Sequence, residues 1–194
     1  MGFPPFNLRT GRFAGRFRGH VFYAGHHVGN LTSSQGSNST AAAATSGYVE
    51  DARISGVVTT RSDGRDVADA GSVVILLPRG VAPEKRHAPG LIMPSTFVAL
   101  DNPAIEAIHN AGGAVVRADS DGQFDVLVDQ GREFRLLVLS KSRPSRGRRM
   151  EQQQSKVLET WFAPSEKLVR DNDFQWKNVN AASDKVDVGV VAFQ

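Results

Sequence analysis

The stretch Ala114–Ser140, AVVRADSDGQFDVLVDQGREFRLLVLS, decides how the rest of the chain reads. Within it Phe124, Val126 and Val128 alternate with Gln123, Asp125 and Leu127. Successive side chains of a strand point to opposite faces, so a period of two describes a strand with one buried face. Asp119-Ser-Asp-Gly122 and Asp129-Gln-Gly131 punctuate the pattern. Short acidic side chains bond their own backbone and glycine takes positive φ without strain, which makes such clusters turns. Phe134, Leu136 and Val138 continue on the next strand. Because Leu137 and Leu139 make its other face apolar as well, that strand is expected in the middle of a sheet.

Working outward, Val115–Ala118 reads as a strand. Ser72-Val-Val-Ile-Leu-Leu77 reads as one buried on both sides and ended by Pro78-Arg-Gly80. Arg53–Thr60, with Ile54 and Val57–Val58 around Gly56, has a pattern tolerant of a sheet edge, and Arg61-Ser-Asp-Gly64 is a turn. Residues 79–112 interrupt the β pattern: a long connection with Pro83, Pro89, Gly90 and Pro94, then a short strand over Thr96–Leu100, then a helix. Asp101 or Asn102 caps that helix, Pro103 takes its first position, and Ala111-Gly-Gly113 stops it after about Asn110. It is expected to pack over a barrel or sandwich opening. Downstream, Lys141–Gln154, KSRPSRGRRMEQQQ, reads as a flexible basic loop. Lys156–Phe162 reads as a strand, with Val157, Glu159 and Trp161 alternating with Leu158, Thr160 and Phe162. A helical turn over Ser165–Val169, a turn at Asp171-Asn-Asp173, a short strand Phe174-Gln-Trp176 and a closing strand Val186–Phe193 complete the pattern.

These elements describe one all-β domain over residues 48–194, with a short inserted helix. Residues 1–47 form a low-complexity leader, flexible or ordered by a partner. Its small polar stretch 29–47 cannot supply a core. Its aromatics Phe13, Phe17, Phe22 and Tyr23 are candidate assembly contacts, docking onto the domain or a neighbouring subunit. Arg9, Arg12, Arg16 and Arg18 interrupt any apolar h-region near the start, so it does not read as a signal peptide, and export stays open. No run of about 18 apolar residues occurs. The 194 residues contain no cysteine, which removes disulfides and thiol chemistry and is compatible with the cytosol without locating the protein.

The formal net charge of +3 is unevenly placed. Residues 53–140 and 151–194 are each mildly acidic, whereas Lys141–Met150 carries five cations and no anion. Lys141, Arg143, Arg146, Arg148 and Arg149 are therefore candidate contacts for an anionic surface or partner. Phosphate contacts from such a loop would be salt-sensitive and weakly selective, and no base-reading helix accompanies it, so specific nucleic-acid recognition is not expected. Removing Lys141–Met150 is expected to spare folding while weakening any anionic partner. Trp161, Phe174 and Trp176 either close the end of a core or form an aromatic platform for a partner or a carbohydrate.

Catalytic and metal readings find little in the pattern. The five histidines lack H-E-x-x-H spacing, so no metal or other cofactor is assigned. Asp119 and Asp121 suggest calcium ligands, but Gln130 stands where a calcium loop of the helix–loop–helix type needs glutamate. There is no G-x-S-x-G elbow. Asp125, Asp129 and Glu133 are not flanked as a glycosidase pair, so the chain is not expected to be an enzyme.

The order of elements resembles the carboxypeptidase regulatory-like domain family. The resemblance rests on Ile54-Ser-Gly-Val-Val-Thr59, Ala70-Gly-Ser-Val-Val-Ile-Leu76, Ala114–Asp121 running into Gly122-Gln-Phe124, and Gly131-Arg-Glu-Phe134 with Leu136 and Val138. It covers residues 52–140; the insertion, the C-terminal third and the leader depart from it. It implies a prealbumin-like (transthyretin-like) Greek-key β-sandwich and a non-catalytic accessory or interaction module. The partner implied is another protein or a second copy, in a bacterial envelope or periplasmic setting. Carbohydrate binding through the C-terminal aromatics and self-assembly through the leader stand as alternatives.

Overall fold

The computed structural model describes residues 50–97, 102–145 and 147–194. Phe13, Phe17, Phe22, Tyr23, Arg146 and residues 98–100 of the expected short strand lie outside them. In chain order the elements are β1 (Asp51–Ser62), β2 (Arg65–Ala68), β3 (Val73–Pro78), α1 (Pro103–Asn110), β4 (Ala114–Arg117), β5 (Gln123–Asp129) and β6 (Glu133–Pro144). Then follow α2 (Gln152–Trp161), α3 (Lys167–Arg170), β7 (Asn172–Asn180) and β8 (Lys185–Phe193). The strands form two sheets packed face to face, so the fold is an all-β sandwich with short helices.

In the first sheet β1 is the hub. It pairs antiparallel with β5, placing Ile54 opposite Val126, and further along with β2, placing Thr60 opposite Val67. On its other side it runs parallel to β8, Ile54 beside Val186. The pattern around Gly56 would have tolerated a sheet edge, but the strand is central. A Cβ on Gly56 would fall 2.6 Å from Val188 Cγ2 and 2.8 Å from Phe124 Cζ. The glycine admits a close approach, beside the register shift between Ser55 and Val57. At the adjoining hairpin Asp63 and Gly64 take φ of 50° and 78°, the left-handed pair that a tight β1–β2 turn requires.

The second sheet runs β4-β3-β6-β7. Its even-numbered residues Val74, Leu76, Phe134, Leu136 and Val138 meet Ile54, Val58, Phe124, Val126 and Val128 of the first sheet in the inter-sheet core. Its odd-numbered residues Val73, Ile75, Leu77, Leu137 and Leu139 face away, yet all are fully buried. They pack under a layer built from Ile105 and Ile108 of α1, Leu158 and Trp161 of α2, Phe162 and Leu168. This second core explains why β3 and the middle of β6 lack alternation: the sheet has no solvent face there.

The helix over 103–110 forms where its caps placed it. The Asn102 side chain accepts from Ala104 N at 3.0 Å, Pro103 sits in the first turn, and Gly112 takes φ of 84° after the end. It covers the outer face of the second sheet and not an opening between sheets. The strand expected over Lys156–Phe162 is instead the second half of α2. Its apparent alternation coincides with helical spacing, which puts Leu158 and Trp161 on one buried face. Glu151 and Gln154 form a capping box, with Glu151 N donating to Gln154 Oε1 at 3.3 Å, and the Gln-Gln-Gln run consists of good helix formers. Thr96 lies in a turn, its amide bonded to Met93 O. β7 already starts at Asn172, inside the expected turn. In β8 a bulge at Gly189 (φ 70°) switches faces, so Val190 is 59% exposed while Val191 and Phe193 are buried.

The expected basic loop also shortens. Lys141–Pro144 extend β6, whose register with β7 shifts between Leu139 and Pro144. Where β6 parts from β3, a buried polar knot takes over. Asp69, 0% exposed, accepts from Ser140 Oγ and, at 3.0 Å, from Ser142 N; Ser72 Oγ accepts from Lys141 N at 3.1 Å. Deleting 141–150 would remove the Lys141 and Ser142 donors of this knot and leave the Ser140–Asp69 bond, so a loss of stability is expected from the deletion.

Candidate functional site

The extended end of β6 and the first turn of α2 bring Ser145 and residues 147–150 near α3. Ser145 N donates to Asp171 O at 3.1 Å, which ties the end of β6 to the start of β7. α2 is anchored by Leu158 and Trp161, and α3 by Leu168, all fully or almost fully buried. A cleft of about 410 Å³ is left between Ser145, residues 147–150, α2 and α3. Met150, Leu158 and Val169 give it an apolar floor; Ser145, Ser155 and Ser165 contribute hydroxyls. Arg148, Arg149 and Arg170 line it against one carboxylate, Glu166. Its electrostatic character is therefore cationic.

The three guanidiniums are held differently. Arg148 Nη1 donates to Phe174 O at 3.3 Å, and its Cζ lies 5.5 Å from the Phe174 ring centroid. Those two contacts limit its orientations; a cation–π contact at such a site contributes about 0.5–1 kcal/mol. Arg170 Nε donates to the exposed Asp171 carboxylate at 3.2 Å, a pair that solvent screens to little net value. Arg149 is exposed and, among the described residues, makes no ion pair. A planar guanidinium can grip a carboxylate or phosphate bidentately, so this arrangement suits an anionic group.

The five cations read from the sequence do not form one patch. Arg148 and Arg149 enter the cleft, and Arg146 lies outside the described residues. Lys141 Nζ donates to Pro94 O at 3.3 Å, and Arg143 Nε donates to Thr60 Oγ1 at 2.9 Å. Both belong to the β6 extension, where they fasten connections. Arg170 and Glu166 were missed, because nothing local links a helical turn after residue 165 to a loop some twenty residues earlier. The helix-forming run before Trp161 was the signal that could have brought them together.

For Trp161 and Phe174 the aromatic platform is corrected: each is 2% exposed in the core under the helical layer, while Trp176 is half-buried and packs against that core. No ring face of Trp161 or Phe174 is available for stacking a sugar. The calcium-like acidic turn is accounted for by backbone bonding. Asp119 Oδ1 accepts from Asp121 N at 2.9 Å and Gln123 N at 2.8 Å, an Asx turn that leads into β5. The Asp69–Ser140 pair is wholly buried and spent on holding β6. Among the described residues no three His, Asp or Glu side chains are grouped to hold a metal ion, and no helix is long and apolar enough to cross a membrane. His87, whose pKa is lowered by burial and by nearby Lys85 against the pull of Glu106, lies in the 79–102 connection and not in the cleft.

No family model and no curated protein matches the chain. Among solved structures it is similar to one from Pseudomonas aeruginosa described as a candidate carbohydrate binding protein. The identity is 13% and the TM-score 0.38, over 74% of this chain and 89% of that one. A likeness at that level carries no argument about this chain.

Proposed function

We propose that the chain is a non-catalytic interaction module whose two-sheet scaffold supports a helical layer with a cationic cleft for an anionic partner. The observation that carries this reading is the convergence of Arg148, Arg149 and Arg170 around one concave site, with Arg148 already oriented by Phe174. Preorganised cations bind with less ordering cost than free ones. The role of the sandwich is mechanical: a sheet buried on both faces fixes α2 and α3, and the cleft inherits that rigidity. Its place among carboxypeptidase regulatory-like modules of bacterial envelope proteins belongs to the same proposal. It is supported by the glycine-centred opening strand at Ile54–Thr59 and the valine-rich strand that follows.

The test is an amide-resolved NMR titration of the full chain with polyglutamate at low and high salt. Amides of residues 147–150 and 165–170 are expected to shift, with weaker saturation at high salt because exposed charges are screened. Shifts confined to other surfaces, or none, would overturn the reading.

A further inference from the structure

We infer that the natural ligand of this cleft is an acidic peptide segment of a partner protein, anchored by one apolar side chain. The inference rests on the cationic-cleft reading and adds the class of ligand.

Three features of the cleft separate a peptide from other anions. The first is its floor. Leu158 and Val169 line the same cleft as the cations, so a ligand filling it puts apolar atoms there; a simple phosphate or sulfate would leave those side chains wet. The second is Glu166, a hydrogen-bond acceptor inside a cationic site. A phosphodiester backbone brings it acceptors alone, whereas an acidic peptide, whose carboxylates also repel Glu166, can turn backbone N–H donors toward it. The third is the origin of the charge. Arg148 and Arg149 come from the segment before α2 and Arg170 from α3, so cations reach the cleft from two separate parts of the chain and suit a ligand that carries more than one carboxylate. Charge complementarity, an apolar anchor and an amide acceptor coincide in a site large enough for a few residues.

The probes are an acetylated, amidated pentapeptide with a central leucine between pairs of aspartates, and the same peptide with glycine in place of leucine. Inorganic phosphate and phosphatidylglycerol vesicles complete the set. With the full chain, the leucine peptide is expected to shift amides around Leu158, Glu166 and Val169 and to bind about tenfold more tightly than the glycine version, in line with burial of one aliphatic side chain. Arg149→Glu should weaken it at least tenfold and Arg149→Lys much less; Arg149 is exposed, and an unchanged amide spectrum away from the cleft shows that the variants fold. Equal affinity of the two peptides, or tighter binding of phosphate or vesicles at the same amides, would overturn the peptide assignment while leaving a cationic cleft in place. No cleft shifts with any probe would overturn both readings.

Discussion

Replacing Asp69 by alanine should be among the most damaging single changes in the molecule, although the buried side chain is polar. Its carboxylate is 0% exposed and accepts from Ser140 Oγ and Ser142 N. Ser140 Oγ in turn accepts from Arg143 N at 2.9 Å. Through its backbone, Asp69 N donates to Val58 O of β1 at 3.0 Å, and Asp69 O accepts from Ser72 N at 3.2 Å. The side chain thus holds β6 at the point where its pairing with β3 ends. Two hydrogen bonds to a charged acceptor contribute roughly 1.5–3 kcal/mol each. Their loss strands the buried Ser140 hydroxyl and leaves the amide of the exposed Ser142 to water, and relief of the carboxylate's desolvation returns part of the cost. The net loss for Asp69→Ala is about 2–4 kcal/mol, against a total of about 5–15 kcal/mol for an ordinary domain. Asp69→Asn keeps the shape and one acceptor, and should lose about half as much. Equilibrium urea unfolding followed by tryptophan fluorescence measures both, with the slope unchanged if only native contacts are lost. A loss below about 1 kcal/mol for Asp69→Ala would refute the idea that this carboxylate fastens β6.

Two further outcomes follow from the packing. Gly56→Ala should destabilise by about 1–3 kcal/mol, because its methyl group would meet Phe124 and Val188 and cannot leave the β1–β8 contact without moving a strand; a neutral result in urea unfolding would mean that β8 yields freely there. Trp161→Ala should cost about 3–5 kcal/mol and release α2 from the sheet, loosening the cleft with it. Amide exchange across residues 152–170 should then rise while β1 and β5 keep their protection, and uniform protection would contradict the anchoring role of Trp161.

How far the residues alone reach can be judged element by element. The turn at Asp119–Gly122 needs only an Asx side chain and a glycine, and the start of α1 needs only Asn102 and Pro103; both are local and both read correctly. The continuous apolar runs of β3 and β6 also announced two buried faces, since no strand with a solvent side can carry them. What they could not announce was the covering material, a layer assembled from the 79–112 insertion and the segment after 150. Trp161 illustrates the limit. In a seven-residue window its neighbours fit a strand as well as a helix, and only the sheet beneath decides that Leu158 and Trp161 should share a face.

The cleft divides in the same way. Arg148 and Arg149 were visible as cations because charge is a property of residues. Their separation from Lys141 and Arg143, and their meeting with Arg170 and Glu166, depend on where β6 leaves β3 and how α3 packs. Residue by residue, then, the chain determined its turns, its strand periods and the two-sided burial of its central pair, since these follow from short-range sterics and from polarity along the backbone. Tertiary structure decided the helical layer, the central place of β1 and the membership of the cleft, because contacts between distant segments are settled by which surfaces exclude water together.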